Sequence, residues 1–158
     1  MSHWSEMNRR SQGIALRRED YVFLPMVYRK DTSNPEIIAR GTYMGMQYVV
    51  ANIGPRPCAY VICPKEFLDR FTDEYGQLNC DINVHGGVTY VGEIGHLKAC
   101  VGLKGYCFGW DYGHIGDWDG SYSNESNELY HLVKYTTEML VKDCKDAIEQ
   151  YQEIVKTM

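Results

Sequence analysis

The sequence predicts an α+β fold, a mostly antiparallel sheet of about five or six strands packed against one long C-terminal helix, and three observations carry that expectation. Residues 43 to 63 are rich in β-branched and aromatic side chains, broken by the turn-forming run Asn52-Ile53-Gly54-Pro55-Arg56-Pro57. Apolar residues recur at three- and four-residue intervals from Leu129 through Leu132, Val133, Thr136, Leu140, Cys144, Ala147 and Tyr151 to Ile154. Glycines punctuate the region between, at Gly86-Gly87, Gly113 and Gly116, where a helix interior would lose about 1 kcal/mol at each.

Taken in order, residues 1–20 read as a flexible N-terminal arm and 21–158 as a single domain. Tyr21 to Tyr28 suits an edge strand, because Pro25 lacks the amide that an interior strand must donate. Pro35 leads into either a short helix or a turn before a strand. The alternating sets around Tyr43 to Val50 are both apolar, so that strand is expected to be covered on both faces. Cys58 to Cys63 should be its hairpin partner across a longish loop. Pro64 stops the partner, and Lys65 to Phe71 fits a short helix with Phe67, Leu68 and Phe71 on one side. Further strands are expected at Asp81 to His85, at Val88 to Val91, at Leu97 to Leu103 and at Gly105 to Trp110. The run Asp111 to Trp118 reads as a loop, and Ser123, Asn124 or Ser126 as the cap of the terminal helix.

Charge and composition exclude several classes of function. A net charge of −5 does not supply the basic face that phosphate neutralisation requires, so bulk nucleic-acid binding is not expected. No apolar run approaches the about 20 residues of a membrane span, and the first residues do not form a secretory leader. A cytoplasmic protein is expected, in the host cytoplasm if the chain is phage-encoded. The six cysteines lack paired CxxC spacing and sit among apolar neighbours, as reduced buried thiols do. Cys80 beside Asp81 makes a poor nucleophile, since an acidic neighbour raises a thiol's pKa.

Polar chemistry concentrates in two runs. His85-Gly86-Gly87 places an imidazole beside backbone that another chain segment or an anion can approach closely. Asp111-x-x-His114-x-x-Asp117 offers two carboxylates and an imidazole from one loop, to ligand hydroxyls or to a divalent cation as candidate cofactor. If the strands before the two runs are parallel neighbours, His85, Asp111, His114 and Asp117 meet, with Asp81, Asn83, Tyr90, Trp110 and Trp118 in reach. Bland alternatives stand beside this reading: a strand bulge with a satisfied histidine, and an Asp/Gly loop that only turns the chain. No HExxH, GxSxG, P-loop or GxGxxG pattern is present. His3, His96 and His131 take no role.

The runs Val84-His85-Gly86-Gly87-Val88-Thr89-Tyr90 and Phe108 to Asp117, after Arg56-Pro57-Cys58-Ala59-Tyr60-Val61, resemble an uncharacterised family of small bacterial and bacteriophage proteins. That family carries VHGG(L/I)TY-like and GFDxxHxGD-like motifs after an RCGYV-like strand. The resemblance spans residues 54 to 119; here Pro57 separates Arg56 from Cys58, and Trp110 stands where Phe is usual. It implies common motifs, without an activity.

The leading expectation is binding of a small polar ligand, phosphorylated or nucleotide-type. His85, Gly86 and Gly87 would take its anion, Asp111, His114 and Asp117 its hydroxyls, and Tyr90 or Trp110 its ring. In a phage setting this becomes sequestration of a host signalling nucleotide. Two alternatives use the same chain: a metal-assisted or acid/base hydrolase with His85 and His114 catalytic and Asp111, His114 and Asp117 as metal ligands, and a protein-binding inhibitor in which the motifs are structural. A homo-oligomer that completes the pocket with a second subunit is a further arrangement left open.

Overall fold

The computed structural model describes residues 20–22, 24–28 and 35–158. The expected N-terminal arm lies outside the described residues except for Asp20, which already belongs to the first strand. Six strands form one sheet in the order β1-β2-β3-β4-β6-β5, every neighbouring pair antiparallel. They are β1 (Asp20–Val22), β2 (Glu36–Tyr43), β3 (Met46–Ile53), β4 (Arg56–Cys63), β5 (Tyr90–Glu93) and β6 (Tyr106–Asp111). The α-helices among the described residues are α1 (Lys65–Phe71), α2 (Asn124–Leu129) and α3 (Thr137–Lys156). The α+β class is therefore the observed one, and β1 is an edge strand.

Period-two alternation explains the two cores. Tyr48, Val50, Ala59, Val61, Phe108 and Trp110 face one way across paired positions of β3, β4 and β6. They meet Leu140, Val141, Cys144, Ala147, Ile148 and Tyr151 of α3, and Phe67 and Leu68 of α1. Val49, Ala51, Tyr60 and Cys107 face the other way and are covered by Ile94 and Cys100 from the β5–β6 connection. Both faces of the central strands are thus dry, as their unbroken apolar runs require. Gly109 is part of this fit: a Cβ there would stand 2.2 Å from the Tyr60 ring, which lies across the strand at that point.

Four expectations on the elements are corrected. The apolar run from Tyr43 to Val50 is not one strand, because Met44 and Gly45 both take positive φ (49° and 78°) and turn the chain back in a two-residue hairpin. The β3–β4 loop is tight instead of longish, only Gly54 and Pro55 separating the strands. Asp81 to His85 is not a strand but an irregular segment, tied to α3 by paired bonds between Asn83 backbone and the Gln150 amide (2.6 and 3.0 Å). Leu97 to Leu103 is not a strand either: single 3₁₀ turns at Ile94–His96 and Lys98–Cys100 drop Ile94 and Cys100 onto the second core.

The long C-terminal helix is present as α3, but its start is corrected, because a separate short helix, α2, lies at its expected beginning. Ser123 caps α2 by accepting the Ser126 amide, and α2 ends in a Schellman motif. There His131 takes φ 53°, its amide bonds Glu128 O, and the Leu132 amide bonds Asn127 O. Residues 132–136 then carry no helix, Val133 making an isolated bridge with Asp117, and Thr136 caps α3 by accepting the Met139 amide. Leu129 and Val133, which the periodic stripe puts in the core, are exposed instead.

Leu140→Ala is expected to cost about 2–5 kcal/mol by urea denaturation, because Leu140 is wholly buried under the sheet. Leu129→Ala should stay within about 0.5 kcal/mol of the parent. Equal losses at the two positions would mean that the continuous helix is the right description after all.

Candidate functional site

Three segments that are irregular in themselves are drawn together beside the C-terminal end of β6: residues 84–89, 111–120 and 130–136. Their common partner is Asp117, a buried carboxylate. One of its oxygens, Oδ2, accepts His85 Nε2 (2.7 Å) and the His114 backbone amide (3.0 Å), and Oδ1 accepts the Tyr135 hydroxyl (3.2 Å). A buried carboxylate needs such donors, since the desolvation it suffers is only offset by charge-assisted hydrogen bonds. Gly116, at φ 96°, lets the 114–117 turn close so that Asp117 can reach back to His114.

His85 is held from several sides. Its ring stacks on Tyr112 (centroids 4.7 Å, 10°) and meets Tyr135 and His114 edge-on at 5.4 and 5.6 Å. Tyr112 is itself fixed, donating to Asp143 of α3 (2.6 Å) and accepting Trp110 Nε1 (3.0 Å). With Nε2–H donated to Asp117, the neutral His85 ring carries its lone pair on Nδ1. That atom bonds no described residue and is not sealed from solvent.

His114 mirrors this arrangement less tightly. Its Nε2 is sealed, 3.3 Å from Asp111 Oδ1 but outside hydrogen-bonding angles, so the pair is close without being bonded. Gly86 explains the seal: a Cβ at that position would stand 2.1 Å from His114 Nε2, so only glycine lets the 84–89 loop lie over the ring. Asp111 also accepts the Gly113 amide (2.9 Å) and, weakly, the Thr89 hydroxyl (3.4 Å). As with His85, Nδ1 of His114 is the nitrogen left open.

The four residues singled out in the sequence do meet, by loop convergence and not by parallel strands. Other expected members do not join them. Trp110 is buried in the core and bonded to Tyr112, and Tyr90 pairs with Gly109 on the opposite face, its ring against Tyr60 and its hydroxyl on Glu93 O. Neither ring can stack on a ligand of this site. Gly87 uses its amide to close a turn onto Val84 O, so it is not aimed at an anion. Asp81 is exposed beside Cys80, outside the cluster, and Trp118 packs on Tyr28 and under Lys134. Asp111, His114 and Asp117 do not converge on one point, and no group of three His, Cys, Asp or Glu among the described residues is placed to share a cation. None of the six cysteines is in a disulfide; burial pushes the Cys58 and Cys100 thiols up to about 11 and those of Cys63 and Cys107 to about 12, which removes them as nucleophiles.

The cluster borders a cleft of about 770 Å³. Residues 113–117 line it together with Arg56, Asp119, Tyr122, Ser126, Tyr130 and Leu132. Arg56, half exposed, lies flat across Gly113, its Nη1 3.5 Å from Gly113 O and its Nε 3.9 Å from Asp119 Oδ2. Sequence reading passed over Arg56, Tyr122 and Tyr130 as lining residues, and Tyr112 and Tyr135 as supports. Nothing local marks them; they arrive through the β4–β6 pairing and the break between α2 and α3. No family model matches the chain, and no curated protein or solved structure is similar to it. Among the described residues, no helix is long and apolar enough to cross a membrane.

Two outcomes follow from this geometry. Gly86→Ala should destabilise more than Gly87→Ala: both carry positive φ (70° and 83°), worth about 1–2 kcal/mol of strain to alanine, but only Gly86 also meets a ring. Adding His114→Ala should recover part of the Gly86→Ala loss in a double-mutant cycle; full additivity would remove the ring contact as the reason for glycine.

The second concerns alkaline pH. Burial first and the Asp117 charge second push the Tyr135 hydroxyl up to about 12 from an ordinary 10.0. Burial does the same for Tyr28, also to about 12, against the lowering effect of the Tyr135 amide it accepts. The folded chain then keeps protons that the unfolded chain gives up, so this stability is complete below about pH 10 and is lost as pH rises through about 12. The urea midpoint should fall over that window, and less steeply in a Tyr28→Phe/Tyr135→Phe double variant; an unchanged slope would contradict it.

Proposed function

We propose that the cleft binds a small phosphorylated ligand that carries a planar ring and a single negative charge at phosphorus. The observation that supports this most is Arg56, whose half-exposed guanidinium is laid along the cleft wall over a glycine. Such a group pairs readily with a phosphoryl oxygen. Tyr122 and Tyr130 stand at the rim with most of their ring surface in water, a placement that stacking on a ligand ring would reward. Ser126 and His114 add polar contacts for hydroxyls.

The charge balance favours a monoanion. Among the described residues, Arg56 is the one lysine or arginine lining the cleft, and Asp117 and Asp119 line it too, so a second charge on the same phosphorus would meet carboxylates without a further cation from those residues. In this reading the anion is taken by Arg56, not by the His85-Gly86-Gly87 backbone.

Calorimetric titration with a nucleoside 2′,3′-cyclic phosphate and with the corresponding free nucleoside tests it. The phosphate should bind the parent chain more tightly, and Arg56→Ala should weaken it roughly 10- to 100-fold, the range for a hydrogen bond to a charged group, while leaving the nucleoside unchanged. No binding of either compound, or equal affinity of parent and variant, would defeat the proposal.

A further inference from the structure

Resting on the binding reading above, we infer that the site also cleaves its ligand, as a metal-independent phosphodiesterase with His85 as general base and His114 as general acid. The juxtaposition that carries this is two imidazoles 5.6 Å apart, each turning Nε2 toward its own carboxylate and leaving Nδ1 open. The carboxylate on the far nitrogen is what holds a catalytic imidazole in one tautomer and supports its charged form.

The two pairs differ in the way a base and an acid should. His85 is bonded at 2.7 Å to buried Asp117, which fixes the proton on Nε2 and makes Nδ1 the acceptor. His114 is more exposed, forms part of the cleft wall and has a looser carboxylate neighbour in Asp111, so its Nδ1 can carry a proton to a ligand oxygen. His85 is not among the residues that line the cleft and adjoins it through His114, 5.6 Å away, so we set the reacting phosphorus at the edge of the cleft beside His114. In the step, a water oxygen attacks phosphorus as its proton passes to His85 Nδ1. The P–O bond to the leaving alcohol breaks, and that oxygen takes the proton from His114 Nδ1. Diester and water become monoester and alcohol, and solvent returns the proton from His85 to His114. The single cation that the described residues bring to the cleft suits a diester, which carries one charge per phosphorus.

The test follows turnover of bis(p-nitrophenyl) phosphate and of a nucleoside 2′,3′-cyclic phosphate by the full chain, with and without a chelator, across pH. A bell-shaped profile indifferent to chelator is expected. His85→Gln keeps a donor to Asp117 while removing Nδ1, and His114→Gln removes the proposed acid; each should cut turnover about 100-fold or more with binding retained. Diester bound in an Arg56-dependent way and recovered intact overturns the cleavage while leaving the binding reading standing. Absence of both binding and turnover overturns both, and turnover that survives both histidine substitutions or stops with chelator overturns the assignment of the two residues.

Discussion

A carboxylate that has almost no water must have its oxygens filled from inside the protein, and in this fold Asp117 meets that demand from three separate stretches of chain. His85, the His114 amide and Tyr135 are its donors. None of the three stretches has regular structure of its own at that point, so the hydrogen bonds to Asp117 stand in for the ladder that a strand would have supplied. The positions of His85 and His114 follow from this. If Asp117 were not where it is, His85 would have no fixed tautomer and the cleft floor no fixed shape.

The sheet contributes by bringing rigid supports to that point. β6 ends at Asp111, and the next residues deliver Tyr112 as a platform under His85 before the loop begins. The Tyr112 hydroxyl reaches Asp143, which ties the platform to α3, the helix that covers the sheet. A chain of contacts therefore runs from the main core through one tyrosine to the imidazole. Asn83 makes a second tie between the same loop and the same helix through Gln150.

Much of the frame was legible because it obeys periodicity. β4, β6, α1 and most of α3 follow from alternation, from Pro64 and from the apolar stripe, since burial decides those patterns. The errors have physical causes. The Met44-Gly45 hairpin hides in an apolar run because Met44 adopts a left-handed conformation that its side chain does not advertise. The α2–α3 break is hidden the same way, with His131 where a glycine would have announced the end of a helix. Of the candidate site, the polar residues His85, Asp111, His114 and Asp117 could be named from their unusual spacing. The aromatic and cationic members could not, because Tyr90 and Trp110 look as available in sequence as Tyr122 and Tyr130 are in space. Strand register turns Trp110 into the main core and Tyr90 against the second one, while Tyr122 and Tyr130, at the two ends of α2, are left in water.

α2 is fastened to the body chiefly through one buried side chain. Asn127 accepts the Asp119 amide and donates to the carbonyls of Asp119 and Ser123, while most other α2 side chains point outward. The residues that face the cleft from this helix and its ends are therefore not the ones that hold it in place. Descendants of this chain can exchange Tyr122, Ser126 and Tyr130 for other side chains at little cost in folding, provided Asn127 is kept. The inner wall, built on Asp117, has no such freedom. One side of the cleft is thus open to substitution while the other is frozen by the fold, so the shape and polarity of its outer wall can change without disturbing the cluster around Asp117.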